Sequence, residues 1–217
     1  MPNFGWRGKL AQFWNRTVGR LVPRLQVQRW VNASIEAVPV GEWAAQLAAG
    51  TLDVGTWQQN FRGEIKREYI RQYLMGRGGL EKMTPVDWGS IGGSIADQYR
   101  YLDNFAREIA AGNLSEGEIR RRSEMYINSA REAFERAKER AAKEAELNEV
   151  RWELDPSPEV EHCEGEPGCT ELSEMGWQPV DPWPFVASGR ETHPGQGDTP
   201  CLTSCRCTTR YRKAKRA

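Results

Sequence analysis

The sequence predicts a mainly α protein: an antiparallel helical bundle with a long projecting helix, followed by a small cysteine-rich module with a short β-hairpin. Apolar residues recur every three or four positions through most of residues 1–149, which is the period of amphipathic helices. All five cysteines fall within residues 150–212, among prolines and glycines. We therefore divide the chain into four parts: a basic N-terminal segment (1–30), a helical domain (31–149), the cysteine-rich module (150–212) and a basic tail (213–217).

The first predicted element is an amphipathic helix over residues 4–25, which ends near Pro23. Its apolar residues follow helical steps, and no acidic residue occurs before Glu36. Such a segment suits docking on a larger protein or on nucleic acid, and lying on a membrane surface is the alternative. The residues predicted to bind the partner are Trp6, Arg7, Leu10, Phe13, Trp14, Arg16 and Arg20.

Three further helices are predicted before residue 113. A short one lies around residues 42–49, and a longer one has an aromatic and aliphatic face every fourth residue until a glycine-rich stop at residues 76–79. Thr84 and Pro85 are the N-cap and first residue of the next helix, whose predicted core face includes Trp88. A glycine ends this helix, and another glycine ends the short helix around residues 42–49. After each glycine, the same tight connector leads to the N-cap of the next helix.

The fourth long helix is predicted to begin at a capping box formed by Ser115 and Glu118. Its second half, residues 134–149, offers mainly alanines among charged residues. We expect this half to be lightly packed, so that the helix projects from the bundle toward the cysteine-rich module.

Two β-prone stretches, Val150 to Leu154 and Thr208 to Arg212, bound the cysteine-rich module and are predicted to pair. Their pairing would bring together a Cys-x5-Cys pair and a Cys-x3-Cys-x-Cys triplet. The five cysteines are Cys163, Cys169, Cys201, Cys205 and Cys207. Because the loops between them contain few apolar residues, we expect the module to lack a core of its own and to need a staple.

A structural zinc ion is the staple that this spacing favours, and disulfides or unrelated free thiols are the alternatives. No signal peptide is recognisable, so we expect a reducing cytosol, which favours thiolate and zinc over disulfides. Since zinc takes four ligands, one cysteine is spare or a histidine, His162 or His193, replaces one. The preferred ligand set is Cys163, Cys169, Cys201 and Cys205, with Cys207 as the substitute for either of the last two.

Four runs in this part of the chain form a recognisable pattern: Trp152, Glu161-His162-Cys163, His193-Pro194-Gly195-x-Gly197-x-Thr199-Pro200-Cys201, and Cys205-Arg206-Cys207. The pattern resembles the C-terminal signature of the phage minor head (head morphogenesis) proteins, the group similar to phage Mu protein F. The wide gap after Cys163 departs from the family's commoner pattern, as does Cys201, where many relatives have a histidine. The resemblance implies a structural virion protein that acts in head morphogenesis, made in the host bacterial cytoplasm and then part of the phage head. Its implied partners are the portal protein or the major capsid protein, with packaged DNA as a non-specific contact.

Catalysis is not expected from this sequence. Two histidines, and no nucleophile elbow, phosphate-binding loop or zinc-protease pair, leave little from which to assemble a catalytic site. The alternative functions are a zinc-knuckle nucleic-acid-binding protein, which the basic termini would suit, and a zinc-dependent nuclease with His162 as general base. No apolar run is long enough to predict a membrane span.

Overall fold

A computed structural model describes residues 24–214, with side chains from residue 29 onward. The predicted N-terminal helix and the seven predicted partner-binding residues lie outside the described residues. Within the described range, six α-helices and one 3-10 turn, Leu80–Lys82, come before residue 149. The α-helices are α1 (Arg24–Glu36), α2 (Val40–Ala48), α3 (Val54–Arg77), α4 (Pro85–Ala110), α5 (Glu116–Asn128) and α6 (Ala130–Glu144).

Helix α1 was not predicted, because the sequence analysis ended its first helix near Pro23. Val31 and Ile35 of α1 are buried with the rest of the helical core. The Gln72 side chain of α3 donates to the Val31 carbonyl, which fixes α1 against α3. The second half of α1 is therefore part of the helical core.

The predicted helix starts at Thr84 and Ser115 are confirmed, and each forms a complete capping box. Both predicted connectors turn at a glycine in the left-handed region, with φ of 68° at Gly50 and 73° at Gly112. The placement of Trp88 on the core face was wrong, since this side chain is 42% exposed. Asp87 takes the buried position because its carboxylate closes the capping box and also accepts a hydrogen bond from the Tyr73 hydroxyl.

The prediction of a long projecting helix was wrong. The chain breaks at Ser129 into α5 and α6, and α6 packs along α3 with buried alanines as far as Ala142. A Cβ on Gly76 of α3 would lie 2.3 Å from the Phe134 carbonyl oxygen and 2.6 Å from the Ala137 Cβ. The alanines of α6 are thus the small residues that let two helix backbones approach closely, and their face is not solvated.

The C-terminal module combines short strands with one short helix. Its elements are β1 (Glu149–Glu153), α7 (Cys169–Glu174), β2 (Gln178–Pro179), β3 (Val186–Ala187), β4 (Arg190–Glu191) and β5 (Thr208–Arg212), with a 3-10 turn at Leu202–Ser204. The predicted pairing of the two bounding strands is confirmed, because β1 and β5 are antiparallel with Trp152 opposite Thr209. They belong to a three-stranded sheet, β2-β1-β5, so the description of this pair as a hairpin was wrong.

The module has an apolar core of its own, contrary to the sequence expectation. The rings of Trp152, Trp183 and Phe185 are buried, and Phe185 meets each tryptophan edge-on at 5.5 Å. Val150, Leu172 and Val180 complete the core. The expectation failed because the aromatic residues of the proline-rich loop fold back onto β1. Among the described helices, none is both long and apolar enough to cross a membrane.

We predict that Gly76→Ala lowers the free energy of unfolding by about 1–3 kcal/mol, since the added methyl group must push α3 and α6 apart. Gly63→Ala on the same helix is the matched control, because its Cβ would meet only the flexible end of Arg67 at 3.7 Å. Gly63→Ala should raise the free energy of unfolding by up to about 1 kcal/mol, because alanine has a higher helix propensity than glycine. Chemical denaturation measures both; equal effects of the two substitutions would contradict the close crossing.

Candidate metal centre

Three loop segments bring the five cysteines to one place beside the sheet. Cys169 is the first residue of α7, and the Glu171 carboxylate holds the preceding turn by accepting the Gly168 N–H at 2.9 Å. A Cβ on Gly168 would lie 2.5 Å from the Cys163 carbonyl oxygen, so the turn that joins these two cysteines needs glycine. Cys205 and Cys207 lie just before β5, whose pairing with β1 fixes their position.

The sulfur atoms form two overlapping triads that share Cys169. One triad is Cys163, Cys169 and Cys201, the other is Cys169, Cys205 and Cys207, and within each triad every sulfur lies within 4.8 Å of the others. The Cys169 Sγ is 3.5 Å from the Sγ atoms of both Cys201 and Cys205. These contacts are far longer than a disulfide bond of about 2.05 Å. They are close to the edge of about 3.8 Å expected for a tetrahedron of sulfurs around zinc, given zinc–sulfur bonds of about 2.3 Å.

The five cysteines are free thiols, so the disulfide alternative does not describe this structure. Three of them, Cys169, Cys205 and Cys207, are buried. Each triad could hold a metal ion, and every cysteine predicted as a ligand belongs to one of the two triads. The preferred set of Cys163, Cys169, Cys201 and Cys205 takes its members from both. Because Cys169 is common to both triads, it is a member of any ligand set built from either one.

Neighbouring groups stabilise negative charge on the sulfurs. The Cys169 N–H donates to the Cys163 Sγ at 3.3 Å, and the Thr199 hydroxyl lies 3.2 Å from the Cys201 Sγ. Hydrogen bonds with Cys169 lower the pKa of Cys201 to about 2 and that of Cys207 to about 3. The same contacts, first with Cys201, raise the pKa of Cys169. These opposite shifts arise from the sulfur–sulfur contacts, and a metal ion bound by the sulfurs would displace their protons.

The two histidines occupy different positions. His162 Nδ1 lies 4.0 Å from the Cys207 Sγ, at the edge of the cysteine cluster. His193 is away from the sulfurs: its Nε2 is 2.8 Å from Glu139 Oε2 of α6, and its Nδ1 is 3.2 Å from Gln196 Oε1. Trp183 stacks on the imidazole at 4.5 Å. Of the two histidines offered as substitute ligands, only His162 is near the cluster.

A buried carboxylate joins the module to the helical domain. Glu135 of α6 is fully buried and accepts hydrogen bonds from the Thr209 N–H at 2.9 Å and from the Thr208 hydroxyl at 2.6 Å. Burial raises the pKa of Glu135, but the Lys138 ammonium and the two threonines outweigh it and lower the pKa. Glu135 therefore remains charged and ties the start of β5 to α6.

Sequence reasoning missed the face of α6 that contacts the module. Arg131, Glu135 and Glu139 are spaced by four residues, so they follow one side of the helix. That spacing was the available signal. We expected the charged residues from position 134 onward to be solvated or lightly packed, whereas Glu135 is buried and Glu139 binds His193. Arg131, one turn earlier, is buried as well.

Comparison with protein-family models, curated proteins and solved structures finds no match for the chain. The chemistry of the site thus has to be inferred from its own residues. An all-sulfur donor set suits soft or borderline metal ions such as zinc, and it is unsuited to magnesium or calcium, which take oxygen ligands.

We predict that Glu139→Gln lowers the free energy of unfolding at pH 7 by about 1–3 kcal/mol. Burial raises the pKa of Glu139, but the hydrogen bond with His193 and the Lys143 ammonium lower it to about 2. A depressed pKa stabilises the fold above the unfolded value near 4.5, and this contribution is lost as the pH falls toward 2.

The gap in stability between wild type and Glu139→Gln should consequently narrow between pH 5 and pH 3, as followed by thermal unfolding. Glu132→Gln is the control, since Glu132 lies on the same helix and pairs with the half-exposed Arg136. Glu132→Gln should lower the free energy of unfolding by less than about 1 kcal/mol. A gap for Glu139→Gln that does not change with pH would contradict the His193–Glu139 contact.

Proposed function

We propose that the chain is a structural phage protein, a minor head component that acts in head morphogenesis through contacts with the portal or the major capsid protein. The proposal is supported by the way in which cysteines from separate runs of the signature come together in space. Cys163, Cys201, Cys205 and Cys207 come from three of the runs that carry the resemblance to phage minor head proteins, and their sulfurs meet around Cys169. The runs that carry the resemblance are far apart in the sequence, yet their cysteines come together in one site. This supports the interpretation that the signature specifies the cysteine cluster.

Zinc is the ion that the donor set fits best. Thiolates are the ligands of structural zinc sites, and the distances of 3.5 Å from the Cys169 sulfur to those of Cys201 and Cys205 are close to the edge of a sulfur tetrahedron around zinc. With five sulfurs at hand, four can close the coordination shell and leave no position for water or substrate. A closed shell favours a structural role for the ion over the nuclease alternative.

The ion would fix the loop ends that the apolar core does not reach. The Trp152 and Phe185 core lies under β1, whereas the turns at Cys163 and Cys201 are half-buried. Bonds from these two residues and from Cys169 to one ion would hold both turns against the sheet. The product is a rigid module attached to α6, which suits a protein that has to keep its shape within a large assembly.

We predict about one zinc ion per chain in protein prepared without oxygen, and loss of that ion in Cys169→Ser, the residue shared by both triads. Cys207→Ser should have a mild effect if Cys207 is the spare thiol. Ser204→Ala, at an exposed position next to Cys205, is the control and should retain the ion. Elemental analysis measures the content; zinc-free protein whose Tm is unchanged by a chelator would refute the zinc staple.

We also predict that the chain is incorporated into heads when it is expressed with the portal and major capsid proteins of the same phage. Replacing Phe13 and Trp14 together by alanine should abolish incorporation at any salt concentration, because these residues supply the apolar face of the predicted docking segment. Asn15→Ala in the same segment is the control. Quantitative mass spectrometry of purified heads measures the copy number.

Absence of the wild-type chain from these heads would contradict the proposed function. Normal incorporation of the Phe13 and Trp14 variant would instead place the interface on the helical domain. Metal-dependent nicking of DNA that is lost in His162→Ala would favour the nuclease alternative.

A further inference from the structure

Two residues with metal-binding atoms have no part in the preferred four-sulfur site: Cys207, its spare thiol, and His162. They lie next to each other, because the His162 Nδ1 is 4.0 Å from the Cys207 Sγ. A sulfur and a nitrogen bound to one zinc ion in tetrahedral geometry are about 3.6 Å apart. The spacing of the two atoms is therefore close to that of two ligands of the same ion.

Cys207 also belongs to a complete sulfur triad. Its Sγ and those of Cys169 and Cys205 lie within 4.8 Å of one another, and all three residues are buried. His162, beside this triad, is half-buried. Three thiolates and one imidazole form a known ligand set of structural zinc. The donors on this side of the cluster are thus sufficient for an ion of their own.

Cys169 stands between this triad and the other one. Its Sγ is 3.5 Å from the Sγ of Cys201 in one triad and 3.5 Å from the Sγ of Cys205 in the other. A thiolate sulfur has more than one lone pair, so it can bind two metal ions at the same time. The arrangement therefore allows one ion on each side of Cys169.

We propose that the cysteine cluster contains a second metal site, so that the chain can bind two zinc ions bridged by thiolates. The inference rests on the proposed zinc staple, whose preferred ligand set holds the first ion. The ligands of the second ion are Cys169, Cys205, Cys207 and His162. Cys169 and Cys205 belong to both sets and form the bridges. Each ion then has four ligands, and no cysteine of the module is left over.

The charge of the cluster favours the second ion. Four thiolates around one zinc ion carry a net charge of minus two, at a place where Cys169 and Cys205 are buried. A second divalent ion adds one further thiolate, that of Cys207, and a neutral imidazole. The net charge of the cluster then falls to minus one. Burial of the smaller charge costs less free energy.

The second ion should bind more weakly than the first, because it shares two thiolates with an ion that is already in place. Protein as purified should therefore contain about one zinc ion, as expected for the staple. An excess of Zn²⁺ should raise the content to two.

The test titrates metal-free full chains with Zn²⁺ as the only added metal, without oxygen and in competition with a chromophoric chelator. Wild type is compared with Cys207→Ser and His162→Ala. Ser204→Ala and Glu161→Gln are the matched controls, since both positions are exposed and lie close in sequence to the residues that are replaced.

Wild type and both controls should bind two ions in two steps, whereas Cys207→Ser should bind one. His162→Ala should weaken the second step by about 100-fold or more, since loss of an outer-shell partner alone weakens metal binding by about 10- to 100-fold. The first step should be unchanged in both variants. An unchanged first step separates the loss of a ligand from damage to the fold.

The bridges are tested by ¹¹³Cd NMR of the chain loaded with two equivalents of Cd²⁺, which takes the same soft thiolate ligands. Wild type should give two resonances that are split by coupling between the two ions, because this coupling passes through a sulfur atom bound to both. Cys207→Ser should give one resonance without splitting.

Saturation of wild type at one zinc ion would overturn the second site and leave the staple intact, whereas a wild type that binds no zinc would refute both. A second ion that also binds to Cys207→Ser, or two cadmium resonances without coupling, would place that ion away from the cluster and overturn the inference. A second step within about threefold of wild type in His162→Ala would overturn the proposed ligand set. Should Cys207→Ser fail to fold, the coupling in wild type and the affinity of His162→Ala decide.

Discussion

The buried carboxylate of Glu135 determines where the two parts of the molecule meet. It binds Thr208 and Thr209, the first residues of β5, and these directly follow Cys207. One side chain on α6 thereby sets the position of the Cys205-Arg206-Cys207 run relative to the helical domain. Glu135 in turn depends on the close crossing of α3 and α6, where Gly76 meets the Phe134 carbonyl oxygen. The geometry of the sulfur cluster thus follows from a glycine more than eighty residues earlier in the chain.

The interface between α6 and the module buries charges of both signs. Glu135 is compensated by Lys138 and two threonines, and Glu139 by His193 and Lys143. Both ring nitrogens of His193 lie within hydrogen-bonding distance of oxygen atoms, Glu139 Oε2 at 2.8 Å and Gln196 Oε1 at 3.2 Å. Arg131 is the exception, because its Nε and Nη1 atoms have no hydrogen-bond acceptor within residues 29–214. The module is too small to be stable through its aromatic core alone. The polar contacts of Glu135 and Glu139, together with one metal ion, would supply the remaining stability.

Local rules predicted the parts of the structure that local chemistry controls. Thr84 and Ser115 begin helices as expected because an N-cap acts within one turn, and β1 pairs with β5 because both stretches alternate in sequence. The failures concern packing at a distance. The alanines of α6 were expected to be solvated or lightly packed because their partner, Gly76, is far away in sequence. Trp88 is exposed because the neighbouring Asp87 occupies the buried position. The convergence of the cysteines was predictable from the strand pairing. The burial of Glu135 and Arg131 was not predictable, because it depends on partners that are far away in the sequence.

Zinc-edge X-ray absorption spectroscopy of the purified full chain tests most directly whether a thiolate-bound zinc ion closes the C-terminal module. We expect a first coordination shell of about four sulfur atoms at about 2.3 Å, with no open position. A first shell dominated by nitrogen or oxygen at about 2.0–2.1 Å would contradict this expectation, because it would place the ion away from the cysteine cluster.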